Sequence, residues 1–276
     1  MDFEIATPRR RNEQLARFSL ASLALFLGCL CGFLPSNVLA AAQEMPLGVV
    51  ILHGGGGNPK EVAALGDALK KAGYLVQRPE TCWSLKRFYD KVYNECLEEI
   101  GGAIAKLKKA GATSFVVAGY SMGGVAAIAY GATHDDLKGV IAIAPAHFPD
   151  HFSKRAETQD SIALAQSMVK AGHADEKAEF TEFGKDWMKL KLTAGIFLSF
   201  NGPDSPGLGQ VNAPKLRAPL LWVAGSADPS QEDGPEFAFA KAPENPLNKY
   251  VKVDADHLGT LKASKDVVIS WLEELR

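Results

Sequence analysis

The chain has 276 residues, of which 30 are Lys or Arg and 32 are Asp or Glu, for a formal net charge of −2. A charge so close to balance leaves no excess of cations for a polyanion, which argues against a nucleic-acid partner. Apolar residues make up 47% of the chain, and this length suits one α/β domain with a sizeable core.

The first 42 residues differ in composition from the rest. Arginines at 9–11 and 17 precede a nearly uncharged apolar stretch over 18–34, and small residues follow at 40–42. This order is typical of a secretory signal peptide. We predict cleavage after Ala40 or Ala42 and a mature protein in the periplasm or outside the cell, with no membrane span after processing.

Two alternatives to a cleaved signal remain open. The apolar stretch is just long enough for an uncleaved anchor, although the small residues at 40–42 favour cleavage. Cys29 follows Phe26, Leu27 and Gly28, which leaves lipoprotein acylation as a second alternative. Removal of 1–42 leaves Cys82 and Cys96, and a disulfide between them is a hypothesis that an oxidising compartment permits but sequence separation does not decide.

Strand-like and helix-like segments alternate in the mature chain. Apolar runs typical of buried strands begin near residues 47, 74, 113, 137, 220 and 250. Segments with helical spacing lie at 62–72, 92–110, 125–130 and 261–275. This alternation predicts an α/β fold over 43–276, with a mostly parallel sheet and helices on both faces.

Residues 146–212 interrupt the alternation. Polar, helix-forming segments at about 156–171 and 175–190 are followed by a turn-rich stretch, and no strand pattern is clear. We interpret 146–212 as an inserted helical cap, because long insertions of this kind often act as lids over a site.

A serine pattern lies at the third predicted strand. Gly119, Ser121 and Gly123 form G-x-S-x-G between the strand at 113–118 and the helix at 125–130. In that context the pattern predicts a nucleophile elbow, in which a sharp turn presents the serine hydroxyl. The alternative is a glycine-rich turn in which Ser121 only caps the helix.

A serine nucleophile needs a base, an acid that orients the base, and donors for the oxyanion. His257 follows the last predicted strand and Asp228 follows the strand before it, so both are expected at the carboxyl edge of the sheet. Asp254 and Asp256 are the alternatives for the acid, but a residue so near His257 in sequence rarely points at its ring. Alone, His257 has the simpler interpretation of a surface histidine.

Glycines 54–57 follow the first strand, where they allow the backbone to approach a ligand closely. They lack the Lys-Ser/Thr of a phosphate-binding loop. His147, Asp150 and His151 contain metal-ligating groups, but their spacing matches no strong ligand pattern. We therefore predict neither a metal nor another cofactor.

These motifs resemble the α/β-hydrolase superfamily, especially its small esterases and dienelactone-hydrolase-like members. The resemblance covers roughly 47–145 and 215–276 and depends on four motifs: HGGGG at 53–57, GYSMGG at 119–124, GSADP at 225–229 and DADHLG at 254–259. Dienelactone hydrolases proper have a cysteine nucleophile where this chain has serine. The early antiparallel strands of larger members are not found in this sequence.

The resemblance implies a role for each matching residue. Ser121 would be the nucleophile, His257 the general base and acid, and Asp228 the orienting carboxylate. The main-chain N–H groups of Met122 and Gly55 would bind the oxyanion, with Gly54 and Gly56 as alternatives to Gly55.

The resulting hypothesis is an exported serine hydrolase that cleaves a small-molecule carboxylic ester through an acyl-enzyme. An acyltransferase or a thioesterase with the same triad is one alternative. A binding protein without activity on a hydrolase scaffold is another, because fold alone does not imply function.

Overall fold

The computed structural model describes residues 46–183 and 187–276. They belong to a compact unit that spans Gln43–Arg276. The predicted signal peptide at 1–42 lies outside the described residues. Within the described ranges, no helix combines the length and the apolar character needed to cross a bilayer.

The main sheet has six strands in the order β2-β1-β3-β4-β7-β8, and every neighbouring pair is parallel. The β1 and β7 strands are buried along their whole length, as a sheet covered on both faces requires. The strands of this sheet are β1 (Leu47–Leu52), β2 (Leu75–Gln77), β3 (Ser114–Tyr120), β4 (Gly139–Ile143), β7 (Leu220–Gly225) and β8 (Lys249–Val253).

Helices cover both faces of this sheet. Val50 and Leu52 point to one face, where they share a core with α2 and α3, while Val49 and Ile51 point to the other face, which packs against α1 and α9. The helices are α1 (Ala63–Lys71), α2 (Tyr93–Lys109), α3 (Met122–Gly131), α8 (His257–Ala263) and α9 (Lys265–Glu274). The prediction of an α/β fold with a parallel sheet is confirmed.

The insertion between β4 and β7 has a small core of its own. Its buried members include Ile162, Phe180 and Phe197, and the rings of the two phenylalanines stack with centroids 4.4 Å apart. The elements of this cap are α4 (Pro149–Phe152), α5 (Ala156–Lys170), β5 (Lys177–Phe183), β6 (Trp187–Thr193), α6 (Ala194–Asn201) and α7 (Gly209–Asn212).

The cap is not wholly helical, which corrects one prediction. The segment 175–190 was expected to be a helix, but β5 and β6 form an antiparallel pair instead. In β6, Lys189 and Lys191 are exposed while Leu190 and Leu192 are covered, which is the period of two of a strand. Burial of Phe180 and Leu192 in the cap core outweighs the modest helix propensity of the charged residues between them.

The disulfide between Cys82 and Cys96 is formed, with Cα atoms 5.7 Å apart. Both cysteines are buried. The bond joins the loop 81–92 to α2, and so it fixes one end of a loop that lies against the glycines after β1.

Candidate active site

Ser121 occupies a strained turn between β3 and α3. Its φ is 54° and its ψ is −123°, a left-handed conformation that non-glycine residues rarely adopt. The turn is tight because a Cβ on Gly119 would lie 1.9 Å from the carbonyl oxygen of Gly123. Only glycine therefore fits at 119, as the elbow pattern predicted.

The Ser121 side chain does not cap α3, so the alternative interpretation of the pattern is wrong. Its Oγ instead lies 3.1 Å from Nε2 of His257. On the other side of the ring, Nδ1 of His257 lies 2.7 Å from Oδ2 of Asp228. The structure thus brings the three predicted residues together in one continuous chain of hydrogen bonds.

The second carboxylate oxygen of Asp228 is also bound. Its Oδ1 accepts hydrogen bonds from the main-chain N–H of Ser230 at 2.9 Å and from the Ser230 hydroxyl at 2.7 Å. Sequence reasoning missed Ser230, although Asp-Pro-Ser after a strand is a pattern in which an aspartate closes its own turn.

The other two aspartates have different partners. Asp256 Oδ1 accepts from the N–H of Gly259 at 2.7 Å and caps α8, while Asp254 accepts from the hydroxyl of Ser226 at 3.4 Å. Asp228 is therefore the carboxylate that orients the imidazole.

The environment of Asp228 favours its charged form. Burial by itself raises the pKa of this carboxyl, but hydrogen bonds from His257 and Ser230 outweigh it, and the net pKa lies below the usual range. An ionised carboxylate at Nδ1 fixes the ring tautomer and stabilises an imidazolium when His257 takes a proton.

The backbone of His257 is held by Tyr120, which precedes the nucleophile. The Tyr120 hydroxyl donates to the carbonyl oxygen of His257 at 3.1 Å, and the two rings lie 5.3 Å apart. Burial and nearby carboxylates raise the pKa of Tyr120, so the hydroxyl keeps the proton that it donates. Tyr120 therefore ties the start of α8 to the elbow.

Three of the four glycine N–H groups after β1 are already bound within the protein. Gly54 donates to Oε2 of Glu61 at 2.7 Å, Gly56 to the carbonyl of Trp83 at 2.9 Å, and Gly57 to the carbonyl of Gly54 at 3.2 Å. Among the described residues, the Gly55 N–H has no such partner. Gly55 therefore remains the predicted oxyanion donor, and Gly54 and Gly56 become poor candidates.

The second predicted donor lies beside the first. A Cβ on Gly55 would be 3.1 Å from Cε of Met122, the residue that begins α3. The N–H groups in the first turn of a helix lack partners within the helix and favour negative charge. Met122 directly follows Ser121, so the two predicted oxyanion donors lie beside the elbow.

The side chain of His53 supports the glycine loop through hydrogen bonds. Its Nδ1 donates to the carbonyl of Gly54 at 2.8 Å, and its Nε2 accepts from the N–H of Thr81 at 3.2 Å. Burial lowers the pKa of His53, which keeps the ring neutral, as this donor-and-acceptor pattern requires. The indole of Trp83, which is fully buried, donates to the His53 carbonyl at 3.1 Å.

A cavity of about 320 Å³ adjoins the triad on the His257 side. Its wall combines Asp228 and His257 of the triad, the segment after β4 and the first cap helices. The residues that line it are Ala146, His147, Phe148, His151, Phe152, Arg155, Asp228, Pro229, Ser230, Glu232, Asp233 and His257.

The three candidate metal-ligating residues after β4 do not converge. Asp150 accepts from the N–H groups of Gly209 at 2.7 Å and Gln210 at 3.3 Å, so its carboxylate holds the two ends of the cap together. Among the described residues, no group of three or more His, Cys, Asp or Glu is arranged to hold a metal ion.

A six-stranded parallel sheet with a serine elbow after β3, an aspartate after β7 and a histidine after β8 is the arrangement typical of the α/β-hydrolase fold. The chain has the α/β-hydrolase fold, as its motifs indicated.

A family model described as serine aminopeptidase, S33, matches residues 44–175. The chain is 30% identical over 105 residues to the thermostable monoacylglycerol lipase of Bacillus sp. (strain H-257). This alignment covers 37% of the present chain and 42% of the lipase, so the match spans less than half of that relative's length.

Two solved structures illustrate the shared fold. A monoacylglycerol lipase from Paleococcus ferrophilus superposes with a TM-score of 0.62 at 18% identity, over 84% of this chain and 96% of that one. A structure from a study of two metagenome-derived lipolytic enzymes gives a TM-score of 0.59 at 18% identity, over 84% and 94% of the respective chains.

Proposed function

We propose that this protein is a serine hydrolase that cleaves a carboxylic ester through an acyl-enzyme intermediate. The observation that carries the proposal is the chain of hydrogen bonds from Ser121 through His257 to Asp228, at 3.1 and 2.7 Å. The lipase name of the 30% identical relative supports an ester as the scissile group.

Each step uses a group already in position. His257 Nε2 takes the proton of Ser121 as Oγ attacks the ester carbonyl, and the Asp228 carboxylate stabilises the imidazolium. The N–H groups of Gly55 and Met122 bind the oxyanion. His257 then protonates the leaving alcohol, and the acyl group stays on Ser121.

Hydrolysis of the acyl-enzyme repeats the same steps with water as the nucleophile. His257 takes a proton from the water, the oxyanion forms again, and Oγ of Ser121 leaves with the proton from Nε2. No cofactor takes part in these steps. A cavity of about 320 Å³ suits a small or medium substrate.

The first test is covalent labelling of the purified mature protein with a fluorophosphonate. We expect one adduct on Ser121, and Ser121→Ala should lose both the adduct and at least about a thousandfold in kcat for 4-nitrophenyl butyrate. Ser226→Ala, which changes an exposed serine on the loop after β7, is the matched control and should keep both. Full activity in Ser121→Ala would remove the assignment.

We also propose that the protein is exported, to the periplasm or outside the cell. The N-terminal composition supports export, and the buried disulfide between Cys82 and Cys96 fits an oxidising compartment. N-terminal sequencing of the protein recovered from the exported fraction should begin at Ala41 or Gln43. Recovery of the full-length chain from the cytoplasm alone would contradict the proposal.

A further inference from the structure

His147 lies in the cavity beside the triad but has no part in the mechanism above. The position of the cavity indicates which part of a substrate it receives. The leaving oxygen must take a proton from His257 Nε2, so a cavity that this imidazole helps to line accommodates the alcohol part of the ester.

The backbone at His147 is strained. Its φ is 68°, in the left-handed region that favours glycine, and its ring stacks on Phe152 with an interplanar angle of 3° and centroids 5.4 Å apart. Strained residues persist where the surrounding structure fixes them, and they cluster at functional sites. The turn after β4 and the cap together hold this imidazole in one orientation at the cavity wall.

The two ring nitrogens of His147 have different surroundings. Nδ1 is buried and has no hydrogen-bond partner among the described residues. His147 lines the cavity and only its Nδ1 is a buried nitrogen without a partner, so Nε2 is the nitrogen that a ligand can reach. A buried N–H without an acceptor is more costly than a buried lone pair, which places the hydrogen on Nε2.

The His147 ring is neutral at ordinary pH. Burial, and then the charge that His257 acquires, lower the pKa of His147 to about 4. His147 therefore presents an uncharged N–H donor to the cavity. Such a donor suits an oxygen acceptor better than an ion. The cavity wall also contains polar and charged residues, namely His151, Arg155, Glu232 and Asp233.

We propose that His147 is a specificity residue that donates a hydrogen bond from Nε2 to a further oxygen atom in the alcohol part of the ester. The enzyme would then favour alcohols that carry an ether or hydroxyl oxygen over plain alkanols of the same size. This inference rests on the proposed ester hydrolysis and adds the chemical class of the leaving group.

The test compares 2-methoxyethyl butyrate with butyl butyrate, which differ by one ether oxygen in place of a methylene. The measured quantity is the ratio of their kcat/KM values. In His147→Phe, which keeps the stacked ring but removes the donor, the ratio should fall by about tenfold, the size of effect expected for one lost hydrogen bond. His134→Phe is the matched control, because His134 follows the far end of α3 and stacks on Tyr130.

A second variant covers the case in which His147→Phe does not fold. His147→Gly removes the donor and relieves the positive φ, and the same fall in the ratio is expected. An unchanged ratio in a folded variant would overturn the inference, and so would an equal loss on both esters, which indicates a structural role alone. Wild-type protein that hydrolyses neither ester and takes no fluorophosphonate would overturn the proposed function as well, whereas an active wild type with a ratio insensitive to position 147 would leave it standing.

Discussion

Asp228 stabilises its own loop as well as the imidazole of His257. One carboxylate oxygen accepts from His257 and the other from the N–H and hydroxyl of Ser230, so the side chain is held in one orientation. The Ser230 hydroxyl also lies 3.4 Å from Nδ1 of His257. Orientation of the base thus depends on a turn of three residues, 228–230, as well as on the charge of the carboxylate.

Asp228→Asn should separate the effect of the carboxylate's charge from the effect of its shape. The amide has nearly the same size, but its NH₂ group can occupy the position that faces Nδ1 and select the wrong imidazole tautomer. We expect kcat to fall by about a thousandfold to ten-thousandfold in steady-state ester hydrolysis, with an unchanged circular dichroism spectrum. Asp254→Asn, which alters the neighbouring carboxylate that binds Ser226, is the control. A loss below tenfold in Asp228→Asn would assign orientation of the base to another group.

The sequence could place Ser121, Asp228 and His257 at one edge of the sheet because each of them follows a strand that the apolar runs already located. The sequence did not identify which of the glycines is the oxyanion donor. The sequence shows four equivalent glycines at 54–57, and only the partners of three of their N–H groups, which come from distant residues such as Glu61 and Trp83, single out Gly55. Such long-range pairing has no local signature in sequence.

The loop 81–92 is the element that positions the glycine loop. Gly56 donates to the carbonyl of Trp83, Leu85 donates to the carbonyl of Gly57 at 3.0 Å, and the indole of Trp83 donates to His53. Trp83 covers the core, and the disulfide at Cys82 anchors it there.

Removal of this disulfide should weaken the protein. A double Cys82→Ala/Cys96→Ala variant frees a loop with a sequence separation of 14 residues, and we expect the free energy of unfolding to fall by about 3 kcal/mol. Urea unfolding followed by tryptophan fluorescence measures the change. Wild-type protein kept in dithiothreitol should show the same shift, and a midpoint equal to that of the oxidised protein in both samples would contradict the expectation.

The antiparallel strands β5 and β6 of the cap are a case in which the local sequence pattern predicted the wrong secondary structure. Charged residues in β5 and β6 gave the segment a helix-forming composition, while the alternation of Leu190 and Leu192 with lysines was too short to stand out. The strands are stable because they pair with each other and bury Phe180 beneath them. The paired strand and the residues that bury Phe180 are both too far away in sequence for a window of a few residues to detect.

At the scale of the whole molecule, the sheet was predictable because its strands are nearly continuous apolar runs. Buried parallel strands have no polar face, so their boundaries coincide with the apolar limits, as at Leu47–Leu52 and Leu220–Gly225. The cap interior and the cavity were not predictable, because they depend on how elements from separate parts of the chain pack together.

The separate core of the cap has a consequence for how enzymes of this shape diversify. Ile162, Phe180 and Phe197 pack within the insertion, while the sheet that carries Ser121 has its own two cores. A segment that leaves the sheet after β4 and rejoins it before β7 can be exchanged as one unit. Its exchange between related proteins would alter the leaving-group preference, while the acyl-transfer chemistry of the residues on the sheet would stay the same.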